Sequence, residues 1–332
     1  MSDRLTRRGF ILGASGVLSG CGASLANFPF DTSYPKAPTL DIEVTFYGVG
    51  CSVITYDNIS ILTDPFWSYL PFRTVAFGTV LPDPKQVDQY LHQLSNVQAV
   101  VIGHNHYDHN MDLPYVAPHL HPDAVVLGAK TMVHTFAPNN MPIPMVSLNQ
   151  HMATVEQTGT WWMHPSKKIR VLPILSGHPN QYLFFHLYRK RLETDRATVP
   201  TKVGHYQEGV TMAFLIDFLD PEQNIQRRVY VQTSSTGYPV GFFPQSILDE
   251  HPVEVALIAM DSANLEMKDR YTVLDFLRPS VVLFCHWEDF FRPKDQVPKE
   301  IVKVDLPKAR EFFQNTEDTV YLFPRLDSTF QF

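Results

Sequence analysis

Four residues of metal-ligating type fall within six positions in the stretch His104-Asn105-His106-Tyr107-Asp108-His109. Imidazole nitrogens and carboxylate oxygens are the natural donors for zinc and similar divalent ions. Histidines two apart on an extended loop can point to one side, so His104 and His106 can serve one ion. A divalent ion held by such donors acidifies bound water toward neutral pH and polarises a carbonyl or phosphoryl oxygen. The chemistry in view is hydrolysis. Asp108 is the candidate to orient or deprotonate the water, and it is also a candidate ligand.

Such a cluster needs a rigid platform and further ligands from elsewhere. The apolar run 97–102, bounded by Gly103, reads as a strand buried on both faces that feeds the histidine loop directly. Two other apolar strands also end in histidine. The run 169–175 leads to Ser176-Gly177-His178, and 281–284 leads to Cys285-His286-Trp287. The recurrence makes His178 and His286 the expected partners of the 104–109 loop. His205 and Tyr206 are candidates for touching substrate. Phe66, Trp67, Trp287, Phe290 and Phe291 flank the candidate ligands, where they line an apolar pocket or pack the core.

The rest of the chain is strand-rich. Residues 42–47 alternate apolar with polar, and 52–56 and 59–62 form a hairpin across Asp57-Asn58. Further strands are expected at 124–127, 145–148, 159–163, 182–188, 210–218, 229–233, 255–259 and 320–323. Helices are expected at 83–94, 130–136, 271–277 and 307–315. Many strands without a regular strand–helix alternation predict an α+β protein in which sheets pack on each other with helices outside. No internal repeat is visible. A single domain is expected over 40–332, with 189–206 as a long polar loop.

The N-terminal segment reads as an address. Thr6-Arg7-Arg8-Gly9-Phe10-Ile11-Leu12 resembles a twin-arginine export signal, and Leu18-Ser19-Gly20-Cys21 resembles a bacterial lipobox. The expectation is a signal peptide over 1–21 and a lipid-modified Cys21. It places the protein on the periplasmic face of the cell envelope, at the outer membrane in a two-membrane bacterium, because Gly22 is not the Asp of inner-membrane retention. Residues 22–39, with Pro29, Pro35 and Pro38, are expected to be a tether.

Composition narrows the classes further. Of 332 residues, 44% are hydrophobic and 18% charged, enough apolar side chain for a sizeable core. Net charge is −7, and removing residues 1–20 leaves 24 basic against 33 acidic side chains. Phosphate binding needs clustered Lys and Arg, so no nucleic-acid partner is expected. The expected partners are a small-molecule or lipid-like substrate and the membrane, reached through Cys21. Cys51 and Cys285 do not make a disulfide framework.

These features together resemble the metallo-β-lactamase-fold hydrolase superfamily over most of 41–290. The first motif of that family is similar to Val44-Thr45-Phe46-Tyr47-Gly48, Ser52 to Tyr56 and Ile61-Leu62-Thr63-Asp64-Pro65-Phe66, and the histidine stretch is its most specific element. Within the superfamily, the chain looks closest to the branch of phospholipase D-type and sugar-lactone hydrolases. The resemblance implies a four-layer αββα sandwich. It implies one metal, zinc before manganese or iron, held by His104, His106 and His178. A second would be held by Asp108, His109 and His286, with Asp64 supporting the loop by hydrogen bonding. One departure stands out. The family bridges its two metals with an Asp in a Gly-Asp-Thr-Gly-like segment, and here Gln232-Thr233-Ser234-Ser235-Thr236-Gly237 places Ser235 at that point. A neutral hydroxyl offsets less positive charge, so the second ion should bind less tightly. Asp261 is the alternative carboxylate. The expected activity is hydrolysis of an ester, lactone, amide or phosphodiester. The alternative is a metal- or ligand-binding lipoprotein with weakened or lost catalysis.

Overall fold

The computed structural model describes residues 24–37, 39–180, 187–234, 236–260, 272–302, 304–313 and 318–332. Cys21, Ser235, Asp261, the signal segment 1–21 and most of the strand expected at 182–188 lie outside them; Leu187 and Tyr188 are not in a strand.

Alternating apolar residues build two seven-stranded sheets. The first contains β1 (Ile42–Gly48), β2 (Cys51–Tyr56), β3 (Ile59–Thr63), β4 (Val97–Val101), β5 (Val125–Gly128), β6 (Met145–Ser147) and β14 (Ser328–Gln331). The second contains β7 (Trp162–Met163), β8 (Ile169–Leu175), β9 (Met212–Leu219), β10 (Ile225–Gln232), β11 (Val255–Ala259), β12 (Val281–Cys285) and β13 (Val320–Leu322). Strand order is β14-β1-β2-β3-β4-β5-β6 in one and β13-β12-β11-β10-β9-β8-β7 in the other. Each sheet has an antiparallel half that passes into a parallel half. The pairs β14/β1, β1/β2 and β2/β3 are antiparallel, and β3/β4, β4/β5 and β5/β6 parallel. Likewise β7/β8, β8/β9 and β9/β10 are antiparallel, and β10/β11, β11/β12 and β12/β13 parallel. The two halves of the fold thus repeat one plan, which the amino-acid pattern does not display.

The side-chain period of two splits the core into three apolar layers. Ala99 and Val101 of β4 meet Val281 and Leu283 of β12 between the sheets. Val100 packs outward with helical residues Val75, Val87, Leu113 and Met132. Val282 and Phe284 pack outward against Leu274, Leu277, Ala309 and Phe313. The helices on the first side include α1 (Phe72–Phe77), α2 (Pro84–Val87), α3 (Tyr107–Asn110), α4 (Leu113–Val116) and α5 (Lys130–Phe136). Those on the second are α6 (Gln245–Glu250), α7 (Val273–Leu277) and α8 (Leu306–Phe313). Two mixed sheets flanked by helices make an α+β sandwich of four layers, as the sequence leads one to expect. Among the described residues, no helix is long and apolar enough to cross a membrane.

The stretch expected to be a tether behaves otherwise. Leu25 is buried and donates its N–H to the Pro298 carbonyl at 3.1 Å. Phe28 meets Phe30 and Phe323 edge-on, Phe30 packs tilted against Trp287, and Asp31 forms a two-pronged ion pair with Arg310. Three large apolar side chains give this proline-bearing segment a reason to lie on the domain.

Candidate metal centre

Parallel pairing decides where the ligands meet. β8, β10, β11, β12 and β13 run the same way, so their C-terminal ends share one edge of the second sheet. β3 and β4 do the same in the first sheet. The edges are stitched together: Met212 N–H donates to the Gly103 carbonyl at 2.7 Å, and His286 N–H to the Val49 carbonyl at 2.8 Å. His104 follows β4, His178 follows β8 and His286 follows β12, so all three converge there.

The six ligand candidates fall into two groups of three. His104, His106 and His178 offer ring nitrogens within 4.8 Å of one another, and Asp108, His109 and His286 form a second such set. The ring centroids of His104 and His109 lie 3.9 Å apart, so the groups adjoin. His104 is buried, and neither of its ring nitrogens has a hydrogen-bond partner among the described residues. Leaving buried polar atoms unpaired is costly, and a cation between the rings would satisfy them. The Asp108 carboxylate lies 3.7 Å from the Nε2 atoms of both His109 and His286, beyond hydrogen-bond length. The donor set therefore fits divalent ions.

Electrostatics point the same way. Burial, then the rings of His109, His178, His106 and His286, hold His104 well below the ordinary histidine pKa. It is a neutral ring, the form that ligates. Burial pushes Asp108 up, but His109, His286 and His106 outweigh it and leave it below the usual carboxylate range. Tautomers are set from outside. His178 Nδ1 lies 2.6 Å from the Pro179 carbonyl, which only accepts, so the proton sits on Nδ1 and Nε2 keeps its lone pair. Asp64 Oδ2 accepts from His109 Nδ1 at 2.7 Å with the same result, and its Oδ1 accepts the Gly103 N–H at 2.7 Å.

The loops pack too closely for side chains at two points. A Cβ at Gly103 would stand 2.3 Å from Thr233 Oγ1, and one at Gly50 would stand 2.5 Å from Asp64 Oδ2. Ser235 and Asp261 lie outside the described residues, but the neighbours of Ser235 meet the His178 loop. Ser176 Oγ donates to the Ser234 carbonyl at 2.7 Å, and a Cβ at Gly177 would fall 2.5 Å from Thr236 Oγ1.

Other sequence candidates sort into packing and rim. Trp67 and Trp287 are fully buried core residues. Phe66 and Phe290 form an edge contact, and Phe290 meets the His286 ring at 5.7 Å, so Phe290 carries the aromatic group to the centre. Tyr206 is buried and packs on Phe136, and His205 Nδ1 accepts the Thr201 N–H at 3.0 Å within its own turn. Both are placed by packing and turn contacts of their own.

Two supporting residues escape a motif search. Asn105, the spacer between the first histidines, is buried; its amide donates to Thr135 Oγ1 and the Gln207 carbonyl, and its Oδ1 accepts from Asn110. Glu288 is also buried and accepts the Val49 N–H and, at 2.5 Å, the Tyr69 hydroxyl. The Val49 carbonyl in turn accepts the His286 N–H, closing a ring from Glu288 back to the ligand two residues before it. Val49 and His286 have φ of 49° and 56°, a region L-residues seldom occupy and a β-branched one least of all. The ring holds that strained pair in place. The signal lay in Phe284-Cys285-His286-Trp287-Glu288-Asp289-Phe290-Phe291, where a carboxylate among apolar residues must find donors.

Comparison with known proteins agrees with this picture. Residues 60–287 match the model of the beta-lactamase superfamily domain. No curated protein matches the sequence. Among solved structures, the chain is similar to Igni18, a metallo hydrolase from Ignicoccus hospitalis. The TM-score is 0.51 at 16% identity, covering 88% of this chain and 99% of that one. It is similar to a possible metal-dependent hydrolase from Veillonella parvula, with TM-score 0.50, 14% identity and coverage of 89% and 100%. It is also similar to an isothiocyanate hydrolase from Delia radicum gut bacteria, with TM-score 0.51, 13% identity and coverage of 87% and 99%. At such identities the likeness is one of fold. The matched span and the two convergent ligand groups carry the same meaning: the chain belongs to the beta-lactamase superfamily and has the build of a metal-dependent hydrolase.

Proposed function

We propose that this protein is an exported, lipid-anchored hydrolase that directs water onto an ester, lactone, amide or phosphodiester bond. The observation that carries the reading is the pair of adjoining ligand groups where the strand ends of both sheets meet. His104, His106 and His178 would hold one divalent ion, zinc by donor type, and Asp108, His109 and His286 a second. Bound there, the ions would supply an acidified water and a Lewis acid for the scissile group. The protein does the rest. Asp64 and the Pro179 carbonyl keep the Nε2 lone pairs of His109 and His178 free of protons. Asp108, between His109 and His286, is placed to orient the water or take its proton. Phe290, backed by the buried Phe66, gives the His286 side an apolar flank that suits an apolar or lipid-like substrate.

Export and anchoring rest on the Arg7-Arg8 and Leu18-to-Cys21 patterns, which favour the periplasmic face of an outer membrane. The test is elemental analysis of the purified mature protein, followed by ester, lactone, amide and phosphodiester probes. Two ions per chain with turnover on one bond class support the proposal. One ion and no turnover on any class would favour a metal-binding lipoprotein, as Ser235 in the place of a carboxylate would allow.

A further inference from the structure

We infer that a lipid bilayer is the docking partner of the surface formed by Ser24, Ala26, Val297 and Val302, at the metal-bearing end of the sandwich. This rests on the proposed lipid at Cys21. Only Gly22 and Ala23 separate Cys21 from Ser24, three chain steps in all. A chain extends at most about 3.5 Å per residue, so Ser24 lies within roughly 10 Å of a lipidated Cys21. From Ser24 onward there is no slack. Ser24 bridges to Lys299, Leu25 N–H bonds to the Pro298 carbonyl, and Asp31 is fixed to Phe323 and Arg310. The chain is therefore clamped to the domain before a tether can begin, and the face around Ser24 must meet the headgroups.

That face suits the partner. Val297 is 50% exposed and Val302 48%, among the most exposed large apolar side chains described. Both belong to the segment that pairs with Leu25. Single exposed apolar residues are ordinary, but here two flank the anchoring point itself.

The orientation follows from topology. Ile301 N–H donates to the Trp287 carbonyl, and Phe30 packs on the Trp287 ring at 4.8 Å, one residue past His286. Asp31 pairs with Phe323, just past β13, and β13 runs parallel to β12. The anchor thus sits at the strand ends that carry His178 and His286. A hydrolase held this way meets amphiphiles carried in the bilayer ahead of solutes, which narrows the substrate class.

The test uses the full-length, exported protein on vesicles of phosphatidylethanolamine and phosphatidylglycerol. A polarity-sensitive fluorophore is placed by Val302→Cys and, separately, by Met163→Cys. Cys51 and Cys285 are buried and stay unlabelled. Met163 lies in β7, at the opposite edge of the second sheet from β13. The expected result is a blue-shifted emission, quenched by brominated acyl chains, at position 302 and no change at 163. Mass spectrometry of the Cys21 peptide separates the two readings. If Cys21 carries lipid and the protein floats with vesicles, yet the probe at 302 emits as in the Cys21→Ser variant, the docking surface is wrong and the anchor stands. An unmodified Cys21 overturns both.

Discussion

Asp64→Asn offers the sharpest probe of how the second ligand group is held. Asp64 has φ of 38°, a conformation that asparagine also tolerates, so the backbone is not perturbed. The new amide oxygen can still accept the Gly103 N–H, which preserves the 103–106 loop and its histidines. The amide nitrogen, however, would face His109 Nδ1 as a donor where a carboxylate accepted. Nδ1 must then give up its proton, the proton moves to Nε2, and Nε2 ceases to be a ligand. Losing such a supporting interaction lowers metal affinity by about 10–100-fold, or roughly 1.4–2.8 kcal/mol. Competition against a chromophoric chelator should resolve two classes of site. The weaker should fall by that factor, and the one formed by His104, His106 and His178 should stay within about threefold. Asp64→Ala should weaken both, because the Gly103 bond goes as well. Equal loss at both sites in Asp64→Asn, or none at either, would refute the tautomer argument.

Three further outcomes follow from other parts of the site. Glu288→Ala should selectively weaken binding at the Asp108, His109 and His286 group by about tenfold, and Glu288→Gln, which can still accept from Val49 and Tyr69, should restore most of it. Chelator competition on both variants checks this, and equal affinities would show that the ring does not position His286. Ser235→Asp should tighten the second ion, by restoring a carboxylate where the family has one; unchanged titration would mean the segment is misaligned. The third concerns Asp112, which is buried and accepts from Trp67 N, Ser68 N and Ser68 Oγ, yet burial lifts its pKa to about 6. The folded state then binds the proton more tightly than the unfolded one. Its contribution is fully present below an unfolded pKa of about 3.9 and is lost as pH rises to about 6, up to about 3 kcal/mol. Denaturant unfolding of the apo-protein across that window should show the loss, and Asp112→Asn should flatten the slope relative to wild type.

What the sequence made legible, and what it hid, divides along physical lines. A ligand cluster is written in residue types, and strands that end in histidine announce themselves by an apolar run that stops. His104, His178 and His286 could therefore be grouped before any fold was known, because β4, β8 and β12 each ended on cue. The braces were harder. Asn105 looked like a spacer, and only the path of residues 207 and 135 past it reveals a buried amide with three partners. Glu288 carries a faint signal, a carboxylate in an aromatic run. Its partner Val49 sits 239 residues earlier, a pairing that no local pattern encodes. The repeat of the two sheets stayed hidden for a related reason. Strand order and direction repeat, but each half needs only alternating apolar residues, and many sequences satisfy that. The N-terminal segment failed in the opposite way. Its prolines invited a tether, while Leu25, Phe28 and Phe30 contradicted one, since a solvated linker has no use for three large apolar side chains. Weighing those residues above the prolines turns the same segment from a spacer into a clamp. If Cys21 carries the proposed lipid, the clamp would give the domain a fixed face toward the membrane.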